Sequence, residues 1–196
     1  MSQEIPKNFE QKRLISENEN YLCQLIREDS IEEFIIYVNK HNISLDSRII
    51  SSIFETNSLL LKKAPTLIEY SAFFGSIQIF QYLHTNGVEL KPSLWIYSIH
   101  SKNAEMIHLL EENNVKPDDN YLKESSKCYH NEITNYIIES LMNKDEINQK
   151  IDENFDENIL SYCFHYYNYN YFPSDLNAKF IFFYACQYDY CNIVES

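Results

Sequence analysis

At 196 residues the chain is long enough to bury a sizeable core, and a 44% hydrophobic content with 15% aromatic residues excludes wholesale disorder. A formal charge of −13 with no Lys/Arg cluster repels a phosphate backbone, so nucleic acid is not an expected partner. Residues 1–13 lack an apolar run behind a basic start and the longest purely apolar stretch, 180–186, is seven residues, so neither a secretory signal nor a membrane partner is expected.

Residues 1–17 read as a polar tail or loose helix, and 18–196 as a single helical repeat array. Ser30-Ile31-Glu32-Glu33 has the spacing of a capping box. Ile31, Phe34, Ile35 and Val38 then give the stripe of a helix ending near His41. Ile49, Ile50, Ile53 and Phe54 predict a shorter helix, and 59–61 begin another ahead of Pro65, making one or two degenerate units.

Clear units follow at 65–91, 92–118 and 119–143. Residues 67–88 overlay 94–115 without a gap at a spacing of 27, Tyr70-Ser71 on Tyr97-Ser98, Leu83 on Leu110 and Val88 on Val115; Ser125 and Ile133 continue the register. In the first of these units Thr66-x-x-Glu69 opens a helix over 66–74. Gly75-Ser76 breaks it and caps a second helix with Ile77, Phe80, Tyr82 and Leu83 on its apolar face, and Asn86-Gly87 closes that helix in the left-handed conformation. Pro65, Pro92 and Pro117 punctuate the series. An irregular unit at 144–175 passes from acidic and Asn-rich to tyrosine-dense. The register returns at Ala185-Cys186 in a last, incomplete unit, 176–196, whose Phe180, Ile181, Phe182 and Tyr184 lack a covering second helix and are expected to fray or self-associate. The expected fold is all-α, a solenoid of stacked helix–turn–helix units with short loops and little or no strand.

The run Thr66 to Phe80, TLIEYSAFFGSIQIF, resembles the ankyrin-repeat pattern T-P-L-H-L-A-A-x-x-G-H-x-E-I-V, with Leu67 and Glu69 replacing the family's proline and histidine. The break glycine becomes Lys102, Tyr129 and Asp189 in the other copies, and the period of 27 is shorter than the family's 33. With Pro92-Ser93-Leu94-Trp95 and Ile107-His108-Leu109-Leu110, the wording is similar to an ankyrin-like domain of unknown function abundant in parasitic protists, notably trichomonads. The resemblance implies protein binding as a scaffold and supplies no catalytic residue, cofactor or metal.

In ankyrin-like arrays the two residues closing each first helix face the concave binding surface. Here these are Phe73-Phe74, His100-Ser101, Lys127-Cys128 and Gln187-Tyr188. The Phe pair is either an interface anchor or packing inside a curved array. Tyr162, Tyr166, Tyr167, Tyr169 and Tyr171, with Phe164, His165 and Phe172, form a recognition surface or an inter-repeat layer. Cys163-x-His165 and Cys186-x4-Cys191 lack the usual zinc spacing, and Cys128 with His130 would diverge on a helix, so neither a metal nor an enzyme is expected. His84, His100 and His108 fall at helix ends or packing edges, while the acidic pairs Glu28-Asp29, Glu32-Glu33, Glu111-Glu112 and Asp118-Asp119 read as solvated faces that could steer a partner carrying a basic patch. Five irregularly spaced cysteines fit reduced, mostly buried thiols inside the cell, in the cytoplasm, where the sequon Asn42-Ile43-Ser44 carries little meaning.

Overall fold

Several helices in this chain begin where a side chain takes up the free amides of the first turn. The computed structural model of the protein describes residues 9, 14, 17–117, 121–142, 154–171 and 178–190, with backbone alone for 137–142, 154–159, 171, 178 and 180. Helix α1, Tyr21–Arg27, is capped by Asn20, whose side-chain oxygen accepts from the Leu22 amide at 2.9 Å. Helix α2, Ile31–Lys40, buries Phe34 and Val38, and the short α3, Ser58–Lys62, is capped by Asn57. Helix α4, Leu67–Phe74, opens in a complete capping box: Thr66 accepts from the Glu69 amide at 3.3 Å and the Glu69 carboxylate from the Thr66 amide at 2.9 Å. Helices α5, Ile77–Thr85, α6, Leu94–Ser101, and α7, Ala104–Glu112, complete a compact unit, Met1–Lys116.

The second unit, Pro117–Ser196, holds α8, Tyr121–Cys128, α9, Asn131–Met142, α10, Asn154–Tyr166, a 3-10 turn at Tyr169–Tyr171, and α11, Ala178–Gln187. The fold is all-α. Among the described residues the one β pairing is an isolated bridge between Arg48 and Thr66, and no helix is long and apolar enough to cross a membrane.

One backbone device recurs at six of the described helix ends, here called first-helix corners. Asp29, Gly75, Lys102, Tyr129, Tyr167 and Asp189 all have positive φ, from 49° to 72°, and each ends a helix. At five of these corners the amide of the next residue bonds five positions back: Ser30 to Leu25, Ser76 to Ser71, His130 to Ser125, Asn168 to Cys163 and Tyr190 to Ala185. The residue four positions before each left-handed residue is buried, and from the second corner onward it is small: Ser71, Ser98, Ser125, Cys163 and Ala185. Second helices end the same way at Asn42, Gly87 and Asn114, where Ile43, Val88 and Val115 bond back to Val38, Leu83 and Leu110.

Corners are tied to the corner before them. In the first unit the Ser76 hydroxyl donates to the Ile26 carbonyl and Asn103 Nδ2 to the Gly75 carbonyl at 3.3 Å. In the second, Asn168 Nδ2 donates to the Ser126 carbonyl and the Tyr190 hydroxyl to the Phe164 carbonyl, both at 3.0 Å. Orphan carbonyls at one helix end are thus satisfied by the next. Asp29 reaches forward as well, its carboxylate accepting from the Gln78 and Ile79 amides at 3.0 Å each. First helices therefore lie side by side: α4 between α1 and α6, burying Ile26, Leu67, Tyr70, Leu94, Trp95 and Ile99, and α10 between α8 and α11, burying Leu160, Phe164 and Ala185. Trp95 donates its indole N–H to the Val115 carbonyl at 2.7 Å.

Several expectations need correction. Residues 49–54 are not helical: Ile49 is held by its amide on the Pro65 carbonyl at 2.7 Å and Phe54 by its amide on Ser52 Oγ at 3.0 Å. Ile49 and Phe54 are buried while Ile50 and Ile53 face solvent. Neither Ser30 nor Ser76 caps its own helix with its side chain. Both follow a left-handed residue, so their ψ values of 75° and 83° turn the hydroxyl away from the first-turn amides. Ser76 serves the preceding corner, and Asp29 takes over the cap of α5. Residues 144–153 and 172–177, and Cys191 onward, lie outside the described residues, as does most of the 1–17 segment.

Gly75 illustrates why the corner chemistry varies. A Cβ there would meet Asn103 Cβ at 3.2 Å and Ser101 Cβ at 3.3 Å, besides carrying φ +72°, whereas Gly87 has open space around it. Gly75→Ala is expected to cost about 1–2 kcal/mol or more, more than Gly87→Ala, while Lys102→Gly is expected to gain up to about 1 kcal/mol by relieving a left-handed side chain. Urea unfolding midpoints of the three variants check the order.

Candidate functional site

The two residues that close a first helix stand just before its left-handed corner, so the packing of neighbouring helices decides whether they meet. Helix α4 ends in Phe73-Phe74 and α6 in His100-Ser101. Because α4 and α6 lie side by side, Phe73 stacks on the His100 imidazole with centroids 4.9 Å apart and planes at 22°. Phe73 meets Phe74 edge-on at 4.9 Å, and Phe74 leans on Tyr70 at 4.7 Å. Both Phe residues are half-buried.

On the α1 side the Arg27 guanidinium carbon lies 5.9 Å from the Phe74 ring centre, within reach of a cation–π attraction. Its geometry is fixed by Nε on Glu17 Oε2 at 2.8 Å and by Nη1, which donates to the Asn18 carbonyl at 2.8 Å and to the Tyr70 hydroxyl at 3.1 Å. Arg27, Phe74, Phe73 and His100 thus form one row across three helices. Beneath the row, burial pushes the Cys23 thiol up to about 11 against the pull of Arg27, and burial raises the Tyr70 phenol too. Neither group is a nucleophile at neutral pH.

Ser101 belongs to the corner: its hydroxyl donates to the Ser98 carbonyl at 2.7 Å and accepts from the Asn103 amide at 3.1 Å. In the second unit Lys127 is exposed, with its ammonium 2.8 Å from Glu124, and Cys128 is half-buried beside the same carboxylate. Gln187 is exposed at the end of α11. Tyr188 turns back onto α10, its ring parallel to Phe164 at 6.4 Å and its hydroxyl 3.3 Å from Ser161 Oγ. The fold therefore gathers Phe73, Phe74, His100 and Ser101, while Lys127, Gln187 and Tyr188 belong to the other unit.

The tyrosine-rich stretch is organised around Phe164, which Tyr184, Tyr188 and Tyr190 surround at 6.3, 6.4 and 5.3 Å. Helix α10 stops at Tyr166, so Tyr162 and Tyr166 share a helix, while Tyr167 is its corner and Tyr169 lies beyond it, both exposed. Tyr171 and Phe172 have no described side chain. Of the cysteines, Cys23 and Cys163 are buried, Cys128 is half-buried, and Cys186 is exposed. His84 Nε2 lies 3.1 Å from Asn113 Oδ1, linking α5 to the end of α7, and His108 sits 3.4 Å from Glu111 on the outside of α7. Glu32, Glu33 and Glu112 are solvated as expected, Asp29 is recruited as a cap, and Asp118 and Asp119 lie outside the described residues.

Arg27 is the functional-looking residue that sequence reasoning passed over, and Asp29, read there as part of a solvated acidic pair, is a helix cap instead. Arg27-Glu28 occupy the same place before Asp29 as Phe73-Phe74 before Gly75. Their corner is 46 residues from Gly75, though, and the 27-residue spacing does not reach it.

A thiol reagent should modify Cys186 rapidly in the native protein and leave Cys23 unmodified until the chain unfolds, as peptide mapping of the labelled cysteines can show. Unfolded cysteine and tyrosine lose their protons near pH ~8.5 and ~10, before the buried Cys23 and Tyr70 do, so the unfolded state binds fewer protons in that window. Stability is therefore expected to fall as pH rises above ~8.5, and by less in a Cys23→Ala variant, read by urea unfolding at stepped pH. No family model matches this chain, and neither does any curated protein or solved structure.

Proposed function

We propose that the chain is a non-enzymatic, ankyrin-like helical-repeat scaffold that binds another protein through the first-helix face of its 1–116 unit, centred on Phe73, Phe74 and His100. The observation that carries this reading is the half-buried ring row across α4 and α6, bounded by a guanidinium held in place. Aromatic and Arg side chains that are already ordered supply binding energy at small entropic cost, as interface anchors do. The polar groups around the row are committed to structure, Ser101 to its corner and Arg27 to Glu17, Asn18 and Tyr70, which favours recognition over chemistry.

The ankyrin-like reading rests on the capping box at Thr66, the left-handed break at Gly75 and the small buried residue before it, repeated along the chain. It includes the protist ankyrin-like group named above and a solenoid arrangement of the helix pairs. Lys127, Gln187 and Tyr188 occupy the matching first-helix ends of the 117–196 unit and are proposed as that unit's own contact residues. With a net charge of −13, the favoured partner is a protein with a basic patch, steered by long-range attraction; nucleic acid and membrane are not proposed. A cytoplasmic location suits the reduced thiols at Cys23 and Cys186.

The test is affinity capture from the source cell with wild type and with Phe73→Ala/Phe74→Ala, followed by titration of the identified partner. The double variant is expected to weaken binding by roughly 10- to 100-fold, the cost of truncating an interface hot spot. Circular dichroism and a urea midpoint establish that the variant is folded. Unchanged affinity in a folded double variant would defeat the proposal and leave an architectural spacer or cap. Turnover of a substrate that depends on Cys163, His165 or Cys128 would make the chain an enzyme instead.

A further inference from the structure

The repeated corners allow each first helix to be compared position by position, and α11 departs from the rest on one side only. Seven residues before the left-handed residue stand Leu22, Ile68, Trp95, Leu122 and Leu160, none more than 9% exposed; the sixth member, Phe182, is 57% exposed. Three residues before it stand Ile26, Ala72, Ile99, Ser126 and Phe164, all buried, whereas Cys186 is exposed. Phe182 and Cys186 are one helical turn apart on the same stripe. Phe183 widens the patch at 59% exposure.

That stripe is the trailing face. In three of the four corner-to-corner bonds the carbonyl three before a corner is the acceptor, for Ser76 on Ile26, Asn168 on Ser126 and Tyr190 on Phe164, while Asn103 bonds the Gly75 carbonyl itself. The Cys186 carbonyl is the next rung of that series.

The leading face shows the complementary departure at α1. Eight residues before the corner stand Leu67 and Leu94, both buried, and Ile181, which packs back on the Leu160–Phe164 core; Tyr21, their counterpart in α1, is 49% exposed. The residue after the corner donates backward in Ser76, Asn103, Asn168 and Tyr190, and Ser30 holds that place at the first corner without capping its own helix.

We infer that the trailing face of α11 docks the leading face of α1 from a second copy of the chain, with Tyr21 covering Phe182 and Cys186 and the Ser30 hydroxyl donating to the Cys186 carbonyl. The contact continues the helix-on-helix packing already made by α8, α10 and α11. It is heterologous, so it propagates as a head-to-tail chain. It is independent of the Phe73–Phe74 face.

Sedimentation velocity at physiological salt and under reductant, from low micromolar to near-millimolar protein, tests this; the reductant prevents Cys186 disulfides from imitating assembly. Wild type is expected to grow in mass with concentration beyond a dimer. Phe182→Glu and Tyr21→Glu, both surface changes whose folding circular dichroism verifies, are each expected to stay monomeric. Their equimolar mixture should form a one-to-one dimer and nothing larger, because one variant keeps only the leading face and the other only the trailing face. A wild-type monomer throughout, assembly unaffected by both substitutions, or a mixture that stays monomeric would overturn the inference, the first of these leaving the face to a different protein.

Discussion

The left-handed residue at the end of each first helix is the constraint on which the rest of the structure depends. At Asp29, Gly75, Lys102 and Tyr129 it turns the chain sharply enough for a second helix to pack against the first, and at five of the six corners it lets the next amide reach the carbonyl five positions back, so helix-end carbonyls find partners inside the fold. Only one of the six first-helix corners is glycine; a side chain in this conformation costs about 1–2 kcal/mol. The cost is offset locally. The buried small residue four positions back allows close packing, and the side chain after the corner secures the neighbour: Ser76, Asn103, Asn168 and Tyr190 perform one task with three different chemistries.

The same corners organise the candidate recognition face. A helix that must stop at a fixed point presents its last two residues at a fixed point, and α4 and α6 stop in step, which is why Phe73 can stack on His100. Arg27 joins them because α1 stops in step too, two residues ahead of Asp29. Its pairing with Glu17 compensates the charge near the rings and leaves the flat guanidinium beside Phe74. Rings held by packing on both sides lose little freedom on binding, which separates such a row from isolated surface aromatics.

Much of this was legible where the copies are regular. The helix pairs at 67–85 and 94–112, the capping box at Thr66, the left-handed Gly75 and Gly87, and the placement of Lys102, Tyr129 and Asp189 at the equivalent of the break glycine all follow from spacing and local chemistry. The corners at Asp29 and Tyr167 did not, since they lie 46 residues before Gly75 and 38 after Tyr129, and a register searched at 27 steps past them. The spacing of Cys163 from His165 argues against a metal ligand but gives Cys163 no role, whereas its burial four before Tyr167 makes it the small residue of a corner. The isoleucines at 49–53 read as helix because a short apolar run has no period of its own to distinguish a turn of helix from a strapped loop.

What the sequence determined by itself is therefore local: where helices start and stop, which face of each is apolar, and that one pattern recurs. Those are consequences of capping geometry and side-chain period, which act within a few residues. Tertiary structure decided which atom each polar side chain serves. The hydroxyls of Ser30 and Ser76 look like caps in one dimension, yet Ser76 bonds to Ile26, 50 residues away, and α5 is capped by Asp29 from another helix pair. It also decided that Phe73 would meet His100 and that Phe182, alone at its repeat position, would stay exposed. Contacts of that separation depend on which helix stands next to which, and no short-range preference encodes it.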